Sequence, residues 1–392
     1  MALPGVKITR KKNQLKRVKP TTDNVFGLAV SGAAVVGKIA LGEPKLITGI
    51  DDLETLGITA VNNPLAFAEV TAFYAMAGEG TQLYLMLYAP ATLLADLCDK
   101  DAGVLRNIMS VGNGAVRGLF VNKTLPEGYA INLVEGLDAD VWNAVAKAQA
   151  LCEAWGDQND PAFVVLPGIG FDTDNAANLR DLNNMTADQV AICLGADNQG
   201  GKFAIGTAAG WLSKLSVQTN MGRVLEGSVL ESAWFPDGVE ANAESVKGKL
   251  GLIHDRRYIF FRKVPGQTGF FFNDDPTACS VASDYSSISW NRVVNKAHVI
   301  TANKLIEHLL DDVDTDVNDG SISPAMAAEW EGEVENEIKK QMLNKKEISG
   351  VKVLINPDQV NLTTDQIEAE VTIVRRGQAK SFAVKIGYGT NL

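Results

Sequence analysis

The sequence predicts an α/β domain with a mostly parallel sheet, followed by a C-terminal α+β domain that terminal strands complete. Three observations predict it. Between about Val25 and Thr219, short apolar runs alternate with longer amphipathic stretches, the rhythm of strand and helix in turn. Beyond roughly His254 the rhythm changes to an aromatic strand, two long helical stretches and then strands. Both ends of the chain alternate apolar and polar residues with period two, as pairing strands do. A length of 392 residues fits two domains. The pattern places an N-terminal arm at 1–24, the α/β domain at 25–253 and the α+β domain at 254–392.

In the first domain the candidate strands are Leu83 to Leu87, Arg117 to Val121, Ala162 to Leu166 and Gln189 to Leu194. The clearest helix is Asp138 to Trp155, where Val141, Val145, Ala148 and Cys152 share one face and Gly156 follows as a stop. Asn63-Pro64 starts another, with a capping side chain and then proline at the first helical position. In the second domain Arg257-Tyr-Ile-Phe-Phe-Arg262 is the aromatic strand, and His298 and His308 fall in one helical stretch. Ser323-Pro324 caps the next helix, along which Met326, Trp330, Val334, Ile338 and Met342 recur every four residues. Glutamates fill its first half and Lys339, Lys340, Lys345 and Lys346 its end, complementing the helix dipole. Three strands close the chain: Val351, Val353 and Ile355 alternate in the first, Ala369, Val371 and Ile373 in the second, and Phe382, Val384, Ile386 and Tyr388 in the third. A turn at Arg376-Gly377-Gln378 joins the last two.

Charge is unevenly spread. Lys7, Arg10, Lys11, Lys12, Lys16, Arg17 and Lys19 fall in the first twenty positions with no acidic residue, leaving 29 basic against 47 acidic residues elsewhere. Charge alone leaves three readings of this leader open: a solvated tail, a nucleic-acid contact, or an arm that docks on something acidic, such as another copy of the chain. The alternation of Gly5-Val-Lys-Ile-Thr-Arg10, with Val6 and Ile8 on one side, favours a strand seeking a sheet edge. An acidic body of this kind repels phosphate backbones, which argues against general nucleic-acid binding. There is no run of eighteen apolar residues, and the N-terminus is charged where a signal peptide is apolar. The expectation is a cytoplasmic protein that does not insert in a membrane.

No constellation for catalysis, metal or cofactor emerges. Cys98, Cys152, Cys193 and Cys279 lie far apart with no CxxC pair. Asp311 to Gly320 resembles a calcium loop, but counting from Asp314 puts Asp319 and Ala325 where glycine and glutamate belong. Gly32-Ala-Ala-Val-Val-Gly37-Lys38-Ile39 has the spacing of a phosphate-binding loop, although Ile39 replaces the magnesium-binding hydroxyl and Leu41-Gly-Glu-Pro44 interrupts the helix that should follow. A nucleotide-binding protein or enzyme using Gly32 to Lys38 is therefore the alternative reading.

Several segments in order resemble the contractile tail sheath proteins of bacteriophages and related injection machines. Val25 to Gly57, containing Gly42-Glu-Pro44 and Ile47-Thr-Gly-Ile-Asp-Asp-Leu-Glu-Thr-Leu-Gly57, resembles the opening of that family's α/β domain. Gly80-Thr-Gln-Leu-Tyr-Leu85 and Val164-Val-Leu-Pro-Gly168 fit the strands that follow, and Asp275-Pro-Thr277, Ser283-Asp284-Tyr285 and Arg292-Val-Val-Asn-Lys296 fit the approach to its C-terminal domain. The resemblance implies a non-enzymatic subunit, without cofactor, that polymerises as stacked rings around an inner tube and shortens to drive it through a target envelope. It implies baseplate and tail terminator proteins as further partners, assembly in the bacterial cytoplasm, and a place in a virion tail or a released injection particle. It also implies an outward-facing α/β domain and a C-terminal domain nearest the tube, which the N-terminal arm at 1–24 would either join or leave to be donated to a neighbour. The strands at Val6 and Ile8 and at Phe382, Val384, Ile386 and Tyr388 would complete sheets on neighbours. Lys339, Lys340, Lys345 and Lys346 would either face the tube or simply complement their helix dipole.

Overall fold

The long strands of the first domain pair in one main sheet because they are apolar at nearly every position, which suits strands covered on both faces. The computed structural model describes residues 22–200, 202–359, 367–384 and 386. Its main sheet comprises β1 (Phe26–Ser31), β2 (Lys45–Ile47), β3 (Leu83–Tyr88), β4 (Gly118–Asn122), β5 (Phe163–Pro167) and β6 (Val190–Cys193), in the order β2-β3-β1-β4-β5-β6. All neighbours are parallel except β2, which lies antiparallel on β3 at the edge. Every residue of β1, β4, β5 and β6 is buried. Phe26, Phe120 and Phe163 stack edge to face across three adjacent strands, with ring centroids 5.2 to 5.9 Å apart. At the far edge, β6 is covered by the segment after Arg257, where the Leu194 amide donates to the Ile259 carbonyl at 2.7 Å.

Helices α1 (Pro64–Ala77), α2 (Ala139–Gly156) and α3 (Ile205–Lys214) pack in the same core. Asp138 caps α2 by accepting from the Asp140 amide, and Val141, Val145, Ala148 and Cys152 are all buried as their spacing predicts. Gly156 is not the stop: it ends inside the helix, and Asp157 is the C-cap. Asn63 precedes α1 without capping it. Its amide instead bridges Ala33, accepting from the Ala33 amide at 2.7 Å and donating to the Ala33 carbonyl at 3.1 Å. A turn far away in sequence has taken the side chain that would have capped the helix.

By its contacts the chain divides into two compact units, one ending at Val299 and one running from Ile300. Residues 254–299, placed with the second domain by the change of rhythm, pack with the first unit, and Tyr258, Phe260, Phe261 and Phe272 lie in its core. Helix α4 (Ile288–Ile306) runs across the boundary. It ends before His308, so the two histidines do not share a helix.

The second unit holds α5 (Pro324–Ile338) and an antiparallel hairpin of β7 (Ile348–Leu354) and β8 (Glu370–Arg375). Ser323 occupies the N-cap of α5 without a side-chain bond, so the proline after it supplies the start signal. Trp330, Val334, Ile338 and Met342 are buried at the predicted spacing, the last in a π-helical turn at Lys339–Leu343. Of the three closing strands, the first two form. The described part of the third (Phe382, Val384 and Ile386) is exposed and lies outside any strand. Among the described residues no helix is long and apolar enough to cross a membrane.

Helices α1 and α3 approach closely because Gly206 and Gly210 line their contact, where an added Cβ would fall well inside van der Waals contact of the Glu69 and Phe73 carbonyl oxygens. Gly210→Ala should therefore lower the unfolding free energy by about 1–3 kcal/mol, since the obstacle is backbone. A urea melt reads this directly, and an unchanged midpoint would contradict the close crossing.

Candidate assembly interface

The place where a doubly wound sheet binds ligands is the crevice at the carboxyl ends of the strands where strand order reverses, here between β1 and β4. Side chains of the protein fill it. The Thr124 amide donates to Ser31 Oγ at 2.7 Å, and Tyr88 donates to the Asn122 carbonyl at 2.8 Å. Asn122 in turn donates to Glu69 and to the Phe203 carbonyl, both at 2.9 Å, while the Gly206 amide donates to the other oxygen of Glu69. Burial is the main reason the Glu69 carboxyl is pushed well above its ordinary value.

The Gly32 to Lys38 segment is likewise not a phosphate cradle. After β1 the chain makes a tight turn in which Val35 and Ile39 pair with each other, Val36 is 98% exposed at its tip and Gly37 takes a φ of 72°. The next element is strand β2 rather than a helix, so no helix N-terminus faces a phosphate. Lys38 reaches the Glu54 carbonyl at 3.3 Å.

What the first unit does hold is the root of the N-terminal arm. Asp23 accepts from Lys296 Nζ at 2.6 Å, and Asn24 accepts from Arg292 Nη2 at 2.7 Å while donating to the Ser213 carbonyl at 2.6 Å. Arg292 also donates to the Leu215 carbonyl at 3.0 Å and lies 5.8 Å from the Phe26 ring centroid. Arg292 and Lys296 share one face of α4 because they are four residues apart. The start of α4 is fixed by the buried Asp275, whose carboxylate accepts from the Ser289 amide at 3.0 Å and from the Ser287 hydroxyl. Asp275-Pro-Thr277 and Arg292-Val-Val-Asn-Lys296 thus serve one helix: the first fixes its start, and the second pins the chain just before β1. Nothing in the local sequence assigns these residues this task. Only their four-residue spacing on a helix hinted at it.

The second unit presents a sheet of two strands. Val353 and Ile355 are buried beneath α5, and Val351, Val371 and Ile373 are partly covered on the same side. Lys352, Leu354, Thr372 and Val374 form the exposed face. A two-stranded sheet has little stability of its own, and here one helix supports it. Helix α5 also reaches its edge: Glu335 accepts from the Val353 amide at 3.2 Å and Glu331 from the Ile355 amide at 2.7 Å. Lys339 and the Val353 amide together hold the Glu335 carboxyl below its usual range. The glutamates read as complementing the helix dipole therefore have a second role that periodicity does not reveal.

Of the residues predicted to pair between copies, Phe382, Val384 and Ile386 are 84%, 73% and 93% exposed. Val6, Ile8 and Tyr388, with the basic leader, lie outside the described residues. Among the lysines, Lys339 pairs with Glu335 at 2.6 Å and Lys340 with Glu337 at 3.3 Å, while Lys345 and Lys346 are exposed. His308 bonds Glu333 at 2.8 Å, and that bond is the main cause raising its pKa. In the Asp311 to Gly320 turn, Asp316 and Asp319 accept from the nearby Asn318 and Ser321 amides. Among the described residues no cluster of His, Cys, Asp or Glu is placed to hold a metal.

The sequence matches the DUF2586 N-terminal domain over residues 3–276 and the DUF2586 C-terminal domain over 284–392. No curated protein matches it by sequence. Among solved structures, it is similar to a chain of the anti-feeding prophage (AFP) helical sheath in its contracted state, at 12% identity and TM-score 0.63, over 99% of this chain and 100% of that one. A chain of the AFP baseplate matches at 13% identity and TM-score 0.62, over the whole of both chains. The PVC sheath complex of an extracellular contractile injection system, also contracted, matches at 13% identity and TM-score 0.58, over 100% of this chain and 98% of that one. The chain therefore has the fold of these sheath and baseplate proteins.

Asp23→Ala removes a carboxylate from Lys296, whose side chain is only 4% exposed. The expected loss is roughly 2–3 kcal/mol of unfolding free energy, as for a group deleted from a buried charged pair. Denaturant titration checks this, and a loss near zero would mean that the pair does not hold the arm's root.

Proposed function

The chain belongs to the DUF2586 family, carrying both of its domains, and we propose that it is a structural subunit of a contractile tail sheath. The observation that carries this reading is the match over 99% of this chain and 100% of a contracted AFP sheath chain. The subunit polymerises with itself as stacked rings around an inner tube, anchored on a baseplate and closed by a tail terminator. Shortening of the lattice drives the tube through a target envelope. Nothing in this task calls for catalysis or a cofactor, and the filled crevice between β1 and β4 supports a structural role. The particle assembles in the bacterial cytoplasm and works as a virion tail or a released injection particle.

In this reading, backbone ladders hold the lattice together. The segment through Val6 and Ile8 and the segment from Phe382 through Val384 and Ile386 to Tyr388 are donated to neighbouring copies. Such ladders suit subunits that must stay linked while they slide, because each added residue contributes main-chain bonds without requiring a rigid-body fit. The domain division follows the same logic: residues 1–24 as the linking arm, the compact unit ending at Val299 as the outer α/β domain and the unit from Ile300 as the sheath core. Lys339, Lys340, Lys345 and Lys346 are the tube-facing candidates. Lys345 and Lys346 are the strongest of the four, since both are exposed while Lys339 and Lys340 are engaged by Glu335 and Glu337.

Purified protein should form long striated tubes or rings in negative stain. Removing residues 2–20, or those after Gly377, should leave a folded chain by circular dichroism that no longer forms tubes. Tubes of normal length from either truncation would contradict the donated-strand mechanism, and a protein that stays monomeric at full length would contradict the sheath reading. With the tube protein present, Lys345→Glu with Lys346→Glu should yield empty sheaths; filled ones would remove these lysines from the tube contact.

A further inference from the structure

Helix α4 ends at Ile306, and the chain then reaches α5 through residues 307–323. Burial does little to hold the start of this connection, since Leu309 and Leu310 are 72% and 96% exposed. The backbone there is strained, because Leu310 takes a φ of 67°, in the left-handed region that a bulky side chain disfavours. A turn bond shapes the segment, the Asp311 amide donating to the His308 carbonyl at 3.2 Å, but does not tie it to α5. The later part has its own ties, with the Ser323 amide donating to the Asp314 carbonyl and the Asp316 amide to the Ser321 carbonyl, both at 2.8 Å. At the start, the ties converge on one imidazole.

His308 lies beside Trp330 in the small core of the second unit, with 5.3 Å between ring centroids. Its Nε2 is 2.8 Å from Glu333 of α5, and its Nδ1 is 3.4 Å from Asp311 of the turn. Two carboxylates thus bracket one ring, each at a different nitrogen. A neutral imidazole has a single N–H, so it donates to one carboxylate and turns a lone pair toward the other. The protonated ring donates to both, and as a cation it gains from the indole beside it. The other charges nearby are Lys304 and Glu307 at the end of α4, which pair at 2.7 Å, and Glu337 of α5, which with Glu333 attracts Lys304.

We propose that His308 is a proton-operated clasp: protonated, it fastens the start of the connection to α5 through Glu333 and Asp311, and neutral, it lets that joint open. Glu333 first, and Asp311 after it, raise the His308 pKa against the opposing effect of burial. A raised pKa means that the clasp is fully made below the ordinary histidine value and is lost as pH rises through the raised one. The carboxylates stay ionised throughout that window. His298, on α4 within the first unit, behaves differently: its ring bonds Asn159 at 3.0 Å, and burial with the Arg117 charge lowers its pKa. It is neutral where His308 changes charge. The clasp belongs to the second unit and goes beyond the sheath reading without depending on it. In a subunit whose lattice must shorten, it makes the stiffness of this joint a function of pH.

Two measurements on the full chain test this. With ring-labelled histidine read by NMR, the His308 signal, identified by its loss in His308→Gln, should titrate above the ordinary value of about 6.5. Glu333→Gln should lower that midpoint by about half a unit or more. Hydrogen–deuterium exchange over residues 307–312, corrected for intrinsic pH effects, should show at least about threefold more opening at about pH 8.5 than at about pH 6. His308→Gln should be open at both. A His308 midpoint at or below the ordinary value would overturn the inference, and so would equal opening at the two pH values in the unsubstituted chain. A pH effect that survives His308→Gln would belong to another group and would overturn it too. The unsubstituted chain carries the decisive comparison, so a variant that fails to fold leaves the test in place.

Discussion

A β-strand carries hydrogen-bonding capacity on both sides, and what becomes of the unused side is the constraint on which this structure turns. In the main sheet that capacity is taken up within the chain at the β6 edge, and the crevice between β1 and β4 is filled. The segment around Ile259 covers β6, the short antiparallel β2 finishes the other edge, and side chains of β1, β4 and α1 fill the crevice where a ligand would otherwise sit. In the C-terminal hairpin it is taken up on one side only. Glu331 and Glu335 satisfy the outer amides of β7, while Val371 and Ile373 carry theirs to an edge that no described strand meets.

The contrast gives the two units different tasks. The first unit is a self-sufficient core whose carboxyl-end crevice is held shut by Ser31, Asn122 and Glu69, and it fixes the root of the arm through Asp23, Asn24, Arg292 and Lys296. Tension reaching the chain before Thr22 therefore meets a charged pair on α4 before it reaches β1, the central strand whose removal would open the sheet. The second unit has few fully buried residues, gathered around Trp330 and Ile355, and a hairpin supported on one face. A unit of that size gains much from the addition of strands.

Periodicity made the fold largely legible. The parallel strands, the helix at Ala139–Gly156 and the β7 and β8 hairpin follow from which positions are apolar, because burial on one or two faces leaves a local pattern. The helix spacing of Trp330, Val334, Ile338 and Met342 held even through a π-turn, since each of these side chains is buried. What the sequence concealed depends on partners distant in the chain. Asn63 looks like a cap until Ala33 is brought beside it, and Gly32 to Lys38 looks like a phosphate loop until Val35 pairs with Ile39 and a strand follows. Glu331 and Glu335 look like two charges among several on a solvated helix face. Their work at the edge of β7 exists only once helix and hairpin have packed.

Hydrogen–deuterium exchange resolved to single amides tests the central claim most directly, by comparing dispersed subunits with assembled material. In the dispersed subunit, Val353 and Ile355 should exchange slowly and Val371 and Ile373 fast; assembly should slow Val371 and Ile373 and leave Val353 and Ile355 unchanged. Protection gained at Val353 and Ile355 on assembly, with Val371 and Ile373 still exchanging freely, would contradict the account.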